Sequence, residues 1–333
     1  WSRLTAPLMG GDDGISDEQK EAMSPRWIAL IATWLAGPDA ANVTGRVFDV
    51  RGETLGIAEG WHLGPTASQP AEPDQLTDVV AEIEAMGGEA VINGGDVSDF
   101  GQAKAMIDQA VDTFGRLDIL INNAGILRDR MVFSMSEADW DAVITVHLKG
   151  TFAPTHHAAN HWRDRSKAGE DVDARLINTA SPSGIYGNVG QTNYGAAKAG
   201  IASFTVIAAM ELVRYGVKVN CIAPGAITRL TENLMGGGEL SEEQKEAMSP
   251  RWIAAVATWL CGPDAANVTG RVFDVQGRRV GVAEGWHLGP SATQTDEVAE
   301  LTPVMADILG KAALNSDMGG NPAEGPGRPS HSL

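Results

Sequence analysis

Tyr194 and Lys198 are the residues of this sequence whose types and spacing most directly suggest proton transfer. They lie four positions apart in a segment with helical spacing, so both side chains fall on one face of the predicted helix. A phenol ordinarily has a pKa near ~10, and a neighbouring ammonium lowers that pKa because it favours the phenolate. Ser181 ends a predicted strand thirteen residues before Tyr194, where its hydroxyl would hold a carbonyl or alkoxide oxygen. The pair alone is weak, because surface helices often carry a tyrosine and a lysine at this spacing.

The elements that must position these residues alternate between apolar strands and helices. Strands are predicted over 89–94, 117–125, 175–181 and 218–225. Helices are predicted over 76–86, 103–114 and 193–215. Ser136 and Asp139 form a capping box for a further helix that runs through Trp140 and Phe152. This alternation predicts βαβ units, and therefore an α/β fold with a Rossmann-like, doubly wound parallel sheet.

Two near-identical segments lie at the ends of the chain. Residues 15–69 and 240–294 are identical at about four positions in five. Each copy predicts a helix, a Gly-Pro-Asp turn and a strand of sequence RVFDV. We therefore predict three domains: a duplicated copy of the C-terminal segment over 1–70, an α/β domain over 75–294, and a C-terminal helix with a disordered Gly/Pro-rich tail over 295–333.

Composition narrows the choice of partners and compartment. The formal net charge of −18 argues against a nucleic-acid partner. The two cysteines, Cys221 and Cys261, have no metal-ligand spacing and suit a reducing compartment. There is no run of eighteen apolar residues, so no membrane partner is expected. The sequence predicts a cytoplasmic protein that acts on small molecules.

Four sequence motifs place the tyrosine and the lysine in a wider pattern. They are DVSD at Asp96, NNAG at Asn122–Gly125, NTASPSGIYGNVGQTNYGAAKAG around Ser181 and Tyr194, and CIAPGAIT at Cys221. In this order and at these intervals they resemble the short-chain dehydrogenase/reductase family across about 76–289. The resemblance implies an NAD(P)-dependent oxidoreductase that acts on a secondary alcohol or ketone, with a 3-hydroxyacyl thioester as one candidate substrate.

The resemblance also assigns roles to individual residues. It implies that Tyr194 is the general acid/base, that Lys198 lowers the pKa of Tyr194 and binds the nicotinamide ribose, and that Ser181 positions the substrate oxygen. Asp96 and Val97 would contact adenine. The remaining residues that it places around NAD or NADP are Asn122, Ala124 and Gly125 along the cleft, and Pro224, Gly225, Ile227 and Thr228 at the nicotinamide amide.

His147 is a first departure from the family pattern. It stands where many members have an asparagine in a proton relay, and an imidazole can also relay protons. The variant is familiar among members that resemble the dehydrogenase unit of peroxisomal multifunctional enzyme type 2. His147 is therefore a fourth candidate catalytic residue; the alternative is a helix histidine bonded to backbone or solvent. His157 and His161 have i,i+4 spacing that suits a metal, but no third ligand is evident, and no metal is predicted.

A missing motif is the second departure. The family opens with a strand, a TGxxxGxG-type loop, a helix and a second strand, and nothing before Leu76 matches that loop. Thr44-Gly45 is followed by Asp49 where glycine would be needed, and Gly10, Gly11 and Gly14 follow no strand. The resemblance thus implies that the first strand–helix–strand unit is lacking.

Two hypotheses concern what replaces that unit. The strand Arg46–Val50 would pair into the gap in the sheet, because an uncovered strand edge is unfavourable. Alternatively, the front copy would cover the surface of a partner subunit, since a homo-oligomer is expected for this family.

Three functions remain open. The first is a working NAD(P)-dependent oxidoreductase, which the intact Ser181, Tyr194 and Lys198 favour. The second is a degenerate dehydrogenase with impaired cofactor binding, and the third is a non-catalytic, oligomer-forming subunit.

Overall fold

The computed structural model divides the chain into two compact units. It describes residues 16, 26–36, 40, 43, 47–51, 54–59, 62–68, 83, 87–226, 241–285, 287–293 and 301–322. We call residues 63–284 the core unit, and residues 1–62 together with 285–333 the terminal unit. The predicted domains 1–70, 75–294 and 295–333 divide the chain differently, because they place 285–294 with the core.

The strands and helices of the described residues are as follows. The strands are β1 (Val47–Arg51), β2 (Thr54–Glu59), β3 (His62–Ser68), β4 (Ile119–Asn122), β5 (Ala174–Thr179), β6 (Val217–Gly225), β7 (Val272–Gln276), β8 (Arg279–Glu284) and β9 (His287–Thr293). The α-helices are α1 (Arg26–Leu35), α2 (Phe100–Phe114), α3 (Glu137–Ile144), α4 (Gly150–Lys167), α5 (Pro182–Tyr186), α6 (Thr192–Leu212), α7 (Glu242–Ala247), α8 (Arg251–Cys261) and α9 (Leu301–Lys311). A π-helical turn over Thr145–Lys149 joins α3 to α4.

The core unit is built on a six-stranded sheet in the order β3-β8-β7-β6-β5-β4. Strands β4 to β7 run parallel, and β8 returns antiparallel to β7. Ser136 caps α3 as predicted, because its hydroxyl accepts a hydrogen bond from the backbone N–H of Asp139 at 3.1 Å. The predicted α/β fold with a parallel sheet is confirmed.

Alternation along β5 explains how the sheet is covered on both faces. Leu176 packs with side chains of α2, α4 and α6, and the buried Trp162 of α4 fills the centre of that cluster. The next residue, Ile177, points to the other face and packs with Val256 and Leu260 of α8. Successive side chains of a strand point to opposite faces, so one apolar strand serves both layers.

Helix α6 is also long and apolar enough, by length and composition alone, to cross a membrane. It instead packs against β5 and β6 in the core unit. Its buried Thr205 hydroxyl donates to the carbonyl of Ile201 within the helix. We therefore describe it as a core helix.

A buried amide network joins the strands to their covering helices. Asn178 on β5 is fully buried, and its Nδ2 donates to Thr205 Oγ1 on α6 at 2.9 Å. The Oδ1 of Asn178 accepts a hydrogen bond from Asn122 Nδ2 on β4 at 2.9 Å. Asn122 Nδ2 also donates to Thr155 Oγ1 on α4 at 2.9 Å. Because buried polar groups are costly when unpaired, the network fixes the relative positions of these elements.

The terminal unit has its own small sheet and core. Its strands lie in the order β1-β2-β9, and all pairs are antiparallel. Ile31 and Trp34 of α1 pack with Leu55 and Ile57 of β2 and with one face of α9. The Trp34 indole also donates to Thr302 Oγ1 at 3.2 Å.

Two sequence predictions about strands are wrong. Residues 89–94 do not form a strand, and Ile92 is 77% exposed. A strand needs a neighbour to accept its hydrogen bonds, and β4 is the outermost strand on that side within the described residues. The RVFDV segment does not pair into a gap beside β4, because β1 pairs antiparallel with β2.

Other predictions fall outside the described residues. They include most of the helix over 76–86 and the tail after residue 322. The absence of a first strand–helix–strand unit from the whole chain therefore stays a prediction.

The amide network yields a stability prediction. Asn178→Ala removes the bond that Thr205 Oγ1 accepts and one of the bonds that Asn122 Nδ2 donates, and it leaves a buried cavity, so the free energy of unfolding should fall by about 3 kcal/mol. Urea unfolding followed by circular dichroism measures this change. Asp112→Ala, on the exposed side of α2, is the control and should change stability by less than ~0.5 kcal/mol. An equally small effect of Asn178→Ala would refute the assigned role of the network.

Candidate active site

The candidate catalytic residues meet where the parallel strands of the core unit end. Asn122 lies at the end of β4, Ser181 follows β5, and Pro224 and Gly225 close β6. The carboxyl ends of parallel strands lie at one edge of a sheet, which is where ligands bind in open α/β folds. Helix α6 brings its first turns to this edge, because it packs against β5 and β6.

Ser181, Tyr194 and Lys198 form one cluster, as the sequence predicts. The Ser181 side chain lies beside the Tyr194 phenol and interacts with it. Lys198 Nζ lies 5.6 Å from the centroid of the Tyr194 ring and donates to the carbonyl of Thr179 at 2.6 Å. Lys198 is buried and Tyr194 is half-buried. The Tyr194 phenol therefore has the Ser181 hydroxyl and the Lys198 amine as neighbours.

Asn193 fixes the direction of Tyr194. Its side chain is fully buried, and Nδ2 donates to the carbonyls of Arg128 at 3.0 Å and Asp139 at 3.2 Å. Its Oδ1 accepts from the backbone N–H of Tyr194 at 2.7 Å. The first turn of α6 is thereby tied to two other segments of the core unit.

His147 lies beside Tyr194 in the π-helical turn between α3 and α4. The centroids of the two rings are 5.1 Å apart, and the rings meet edge to face. His147 Nε2 is 2.7 Å from the carbonyl oxygen of Ile126 and 3.1 Å from its N–H; the shorter contact favours Nε2 as the donor. Nδ1 is buried and has no hydrogen-bond partner. Gly125 lies against this ring, because a Cβ at that position would overlap His147 Cε1.

Burial dominates the acid–base properties of these groups. It raises the pKa of Tyr194, and the interaction with Ser181 only partly offsets this. Burial lowers the pKa of Lys198 to about 8. It also lowers the pKa of His147 to about 4, with a further contribution from the nearby Lys198. At neutral pH, Tyr194 and His147 are therefore neutral, whereas Lys198 still carries its proton.

Burial and the predicted influence of Lys198 act on the pKa of Tyr194 in opposite directions. The pKa of Tyr194 is raised, with burial as the largest cause. The Lys198 amine donates to the Thr179 carbonyl, and the lowering of the Tyr194 pKa by Lys198 stays a prediction.

The predicted cofactor residues are only partly brought together. A cavity of about 310 Å³ is lined by Val97, Asn122 and Ala124, together with Gly150 and Thr151 of α4. Asp96 does not line it; its carboxylate accepts hydrogen bonds from the N–H and hydroxyl of Ser98, which lower its pKa. Ile227 and Thr228 lie outside the described residues.

The paired histidines of α4 do not form a metal site with described residues. His157 Nε2 lies 3.0 Å from the Phe100 carbonyl oxygen. His161 is partly buried, which lowers its pKa. Within the described part of the chain, no group of three or more His, Cys, Asp or Glu residues is placed to hold a metal ion.

Sequence reasoning missed the residues that hold the cluster in place. Asn193 and Thr179 both lie inside the quoted NTAS…TNYG motif, but an asparagine or threonine beside a catalytic residue has no distinctive spacing. Gln191 was also missed; its Nε2 donates to Asp129 Oδ2 at 2.8 Å. A pairing across so many residues leaves no periodic signal.

Comparison with known proteins agrees with this geometry. Residues 59–237 match the family model described as short chain dehydrogenase. A hydroxyacyl-CoA dehydrogenase, ChsB1, from Mycobacterium tuberculosis is 42% identical over 282 residues, which cover 81% of this chain and 88% of that protein. The peroxisomal multifunctional enzyme type 2 of Mus musculus is 38% identical over 229 residues, which cover 69% of this chain and 28% of that protein.

A solved structure extends the comparison to the fold. The crystal structure of a short chain dehydrogenase from Mycobacterium avium superposes with a TM-score of 0.63 at 51% sequence identity, over 70% of this chain and 77% of that one. The shared sequence, the shared fold and the Ser181–Tyr194–Lys198 cluster lead to one conclusion. The chain belongs to the short-chain dehydrogenase/reductase family of oxidoreductases.

Proposed function

We propose that this chain interconverts a secondary alcohol and a ketone with NAD or NADP, and that its substrate is a 3-hydroxyacyl or 3-oxoacyl thioester. The observation that carries the proposal is the cluster of Ser181, Tyr194 and Lys198, in which the buried Lys198 amine lies 5.6 Å from the centroid of the Tyr194 ring. The substrate class is supported by relatives named hydroxyacyl-CoA dehydrogenase and, in Synechocystis, 3-oxoacyl-[acyl-carrier-protein] reductase.

The residues present fit a dinucleotide at the cavity beside α4. Its lining includes the apolar side chains of Val97 and Leu120, which suit a planar base, and the polar residues Asn122 and Thr151. Lys198 would hold the nicotinamide ribose. When bound, the dinucleotide would exchange a hydride with the substrate carbon. The sequence contains no match to the glycine-rich loop that contacts the pyrophosphate of the dinucleotide in this family.

Tyr194 and Ser181 provide the proton transfer to and from the substrate oxygen in this proposal. In the reducing direction, the raised pKa keeps Tyr194 protonated at neutral pH, so its hydroxyl donates a proton to the forming alkoxide. Ser181 donates a hydrogen bond to the same oxygen and holds it beside the phenol. In the oxidising direction the substrate hydroxyl gives its proton to the Tyr194 phenolate, which becomes more abundant as the pH rises.

His147 stays neutral throughout the physiological range in this proposal. Its pKa of about 4 leaves Nδ1 as a buried acceptor without a protein partner. A water molecule or the Lys198 side chain would complete the bonding of Nδ1 and pass protons away from Tyr194. We therefore assign His147 to the relay rather than to substrate binding.

The catalytic assignment has a direct test. Tyr194→Phe removes the exchangeable proton, so kcat/KM for 3-hydroxyacyl-CoA oxidation should fall by about 10²–10⁴-fold or more, while circular dichroism and melting stay close to wild type. Tyr215→Phe, which removes a hydroxyl outside the site, is the matched control and should retain activity. Retained turnover in Tyr194→Phe would refute the assignment.

Cofactor binding is tested separately by titrating the full chain with NADH and NADPH and following heat or fluorescence. We expect a dissociation constant on the order of 1–100 µM for one of them. Ala124→Phe, which fills the cavity, should weaken binding at least ~10-fold by steric exclusion, whereas Ala168→Phe at the exposed end of α4 should not. The absence of binding at millimolar dinucleotide would favour a degenerate dehydrogenase instead.

The titration of His147 should appear as a pH dependence of stability. Its pKa is about 4 when folded and near ~6.5 when unfolded, so the unfolded state binds the proton first as the pH falls. Stability present above pH ~6.5 should therefore decrease toward pH ~4, by about 2–3 kcal/mol for this group. Urea unfolding at pH 7 and pH 4.5 should show a smaller loss in His147→Asn than in wild type. His156→Asn, an exposed histidine, should keep the wild-type loss; equal losses in all three proteins would contradict the buried, neutral assignment.

A further inference from the structure

The two repeated segments form the same three strands but do not keep them together. Strand β1 starts at Val47 and β7 at Val272, which is 225 positions later, and the same offset relates β2 to β8 and β3 to β9. Yet β2 pairs with β9, and β8 lies beside β3. Each copy therefore gives its third strand to the hairpin of the other copy.

The chain crosses between the two units within the same short sequence in both copies. The front copy crosses at His62–Leu63 and the rear copy at Glu284–Gly285. Both crossings lie in an EGWHL segment, at 59–63 and 284–288. An identical linker of this kind is where an element can leave its own hairpin and enter another.

The third strands are chemically interchangeable. They read HLGPTAS in β3 and HLGPSAT in β9. Each carries a proline, Pro65 or Pro290, and each lies at the edge of its sheet, as expected for a residue without a backbone N–H. The hairpins that receive them share seven of eleven residues, and two of the four differences exchange one aliphatic side chain for another. An exchange therefore replaces each set of strand contacts with a similar set.

The pairing of β9 with β2 depends on features of both strands. The register shifts by one residue opposite Gly289 and Pro290, between the pairs Gly56–Ser291 and Ala58–Leu288. A bulge of this kind accommodates the proline. At Gly56 a Cβ would lie 2.6 Å from Leu288 Cδ1 and 3.0 Å from Ser291 Cβ, so β9 lies close against this glycine.

The helices of the two copies bury different faces. In α1, Trp34 is 1% exposed and Leu35 is 39% exposed, whereas the matching residues of α8 are reversed, with Trp259 43% exposed and Leu260 fully buried. The helix of the front copy therefore turns a different face to its core. That core contains α9 and the half-buried Ala292 of β9.

We propose that the front copy acts as an internal partner: it occupies the place of the C-terminal segment of a second chain. A chain with one copy that released its third strand would have to exchange it with another molecule. Here the acceptor is tethered in the same polypeptide, so its effective concentration is far above that of a separate chain. The exchange interface is consequently completed within one chain and is not available to link two chains.

The proposal is tested with paired cysteines in the full-length chain. Thr54 and Thr293 are exposed register partners on β2 and β9, and register partners lie within the Cα separation that a disulfide allows. In a Cys261→Ala background, Thr54→Cys/Thr293→Cys should form a disulfide within one chain. Cys221 is retained, because burial raises the pKa of its thiol to about 12 and leaves it unreactive.

Two companion variants separate the arrangements. Thr54→Cys/Ser68→Cys would be linked if β3 returned to its own hairpin. Arg279→Cys/Ser68→Cys, related to the first pair by the same offset, should be linked if the exchange is reciprocal. Non-reducing electrophoresis and peptide mass spectrometry then report which pairs join and whether they join within a chain.

The expected result is a monomer-sized disulfide for both exchanged pairs, at least ~10-fold more abundant than for Thr54→Cys/Ser68→Cys and independent of protein concentration. A covalent dimer in the Thr54→Cys/Thr293→Cys protein would overturn the proposal, since exchange would then occur between chains. Preferential linkage of Thr54→Cys/Ser68→Cys, or no disulfide between positions 54 and 293, would overturn it as well. The outcome is independent of catalysis, so the proposed function can fail without affecting this test.

Discussion

The burial of the Lys198 amine against the carbonyl of Thr179 is the contact on which the candidate site depends. An amine in this position must find a hydrogen-bond acceptor, because burial without a partner is costly. The only way to bring that acceptor close is to pack the start of α6 against the end of β5, which the fold does with Asn178 and Thr205 bonded between the same two elements. The parallel sheet is thus more than a support. It places the Thr179 carbonyl where Lys198, four residues after Tyr194, can donate a hydrogen bond to it and still lie near the Tyr194 ring.

The same burial has a chemical consequence for Tyr194 and His147. In the structure, the environment disfavours charge on the phenol, the imidazole and the amine alike. A site of this kind holds a proton on Tyr194 until a substrate oxygen that develops negative charge arrives to accept it. The neutral imidazole of His147 adds a buried nitrogen, Nδ1, that has no hydrogen-bond partner in the protein and can accept a hydrogen bond.

Most of the fold and the central site residues could be predicted from the sequence, because they depend on local patterns. The alternation of apolar strands and helices predicts the sheet, and the motif around Ser181 and Tyr194 predicts the cluster. What failed depends on partners distant in the chain. Residues 89–94 are apolar enough for a strand but have no neighbour to pair with, and the contacts of Asn193 span more than fifty residues. Spacing predicts that Lys198 lies near Tyr194, but it does not show that the phenol is buried or that the Lys198 amine donates to the Thr179 carbonyl.

The repeated segments show how neighbouring elements affect the packing of one sequence, because the two copies share most of their residues and all of their strand boundaries. In the core unit, β7 is paired on one side with β6, and α8 packs on a large sheet with Leu260 buried. In the terminal unit, β1 pairs with β2, and α1 buries Trp34 against a small core that includes α9. The residue buried at a given helical position therefore follows from the neighbours that are present and not from the helix alone. Local sequence decides where each strand begins and ends, whereas the available edges decide with which strand it pairs.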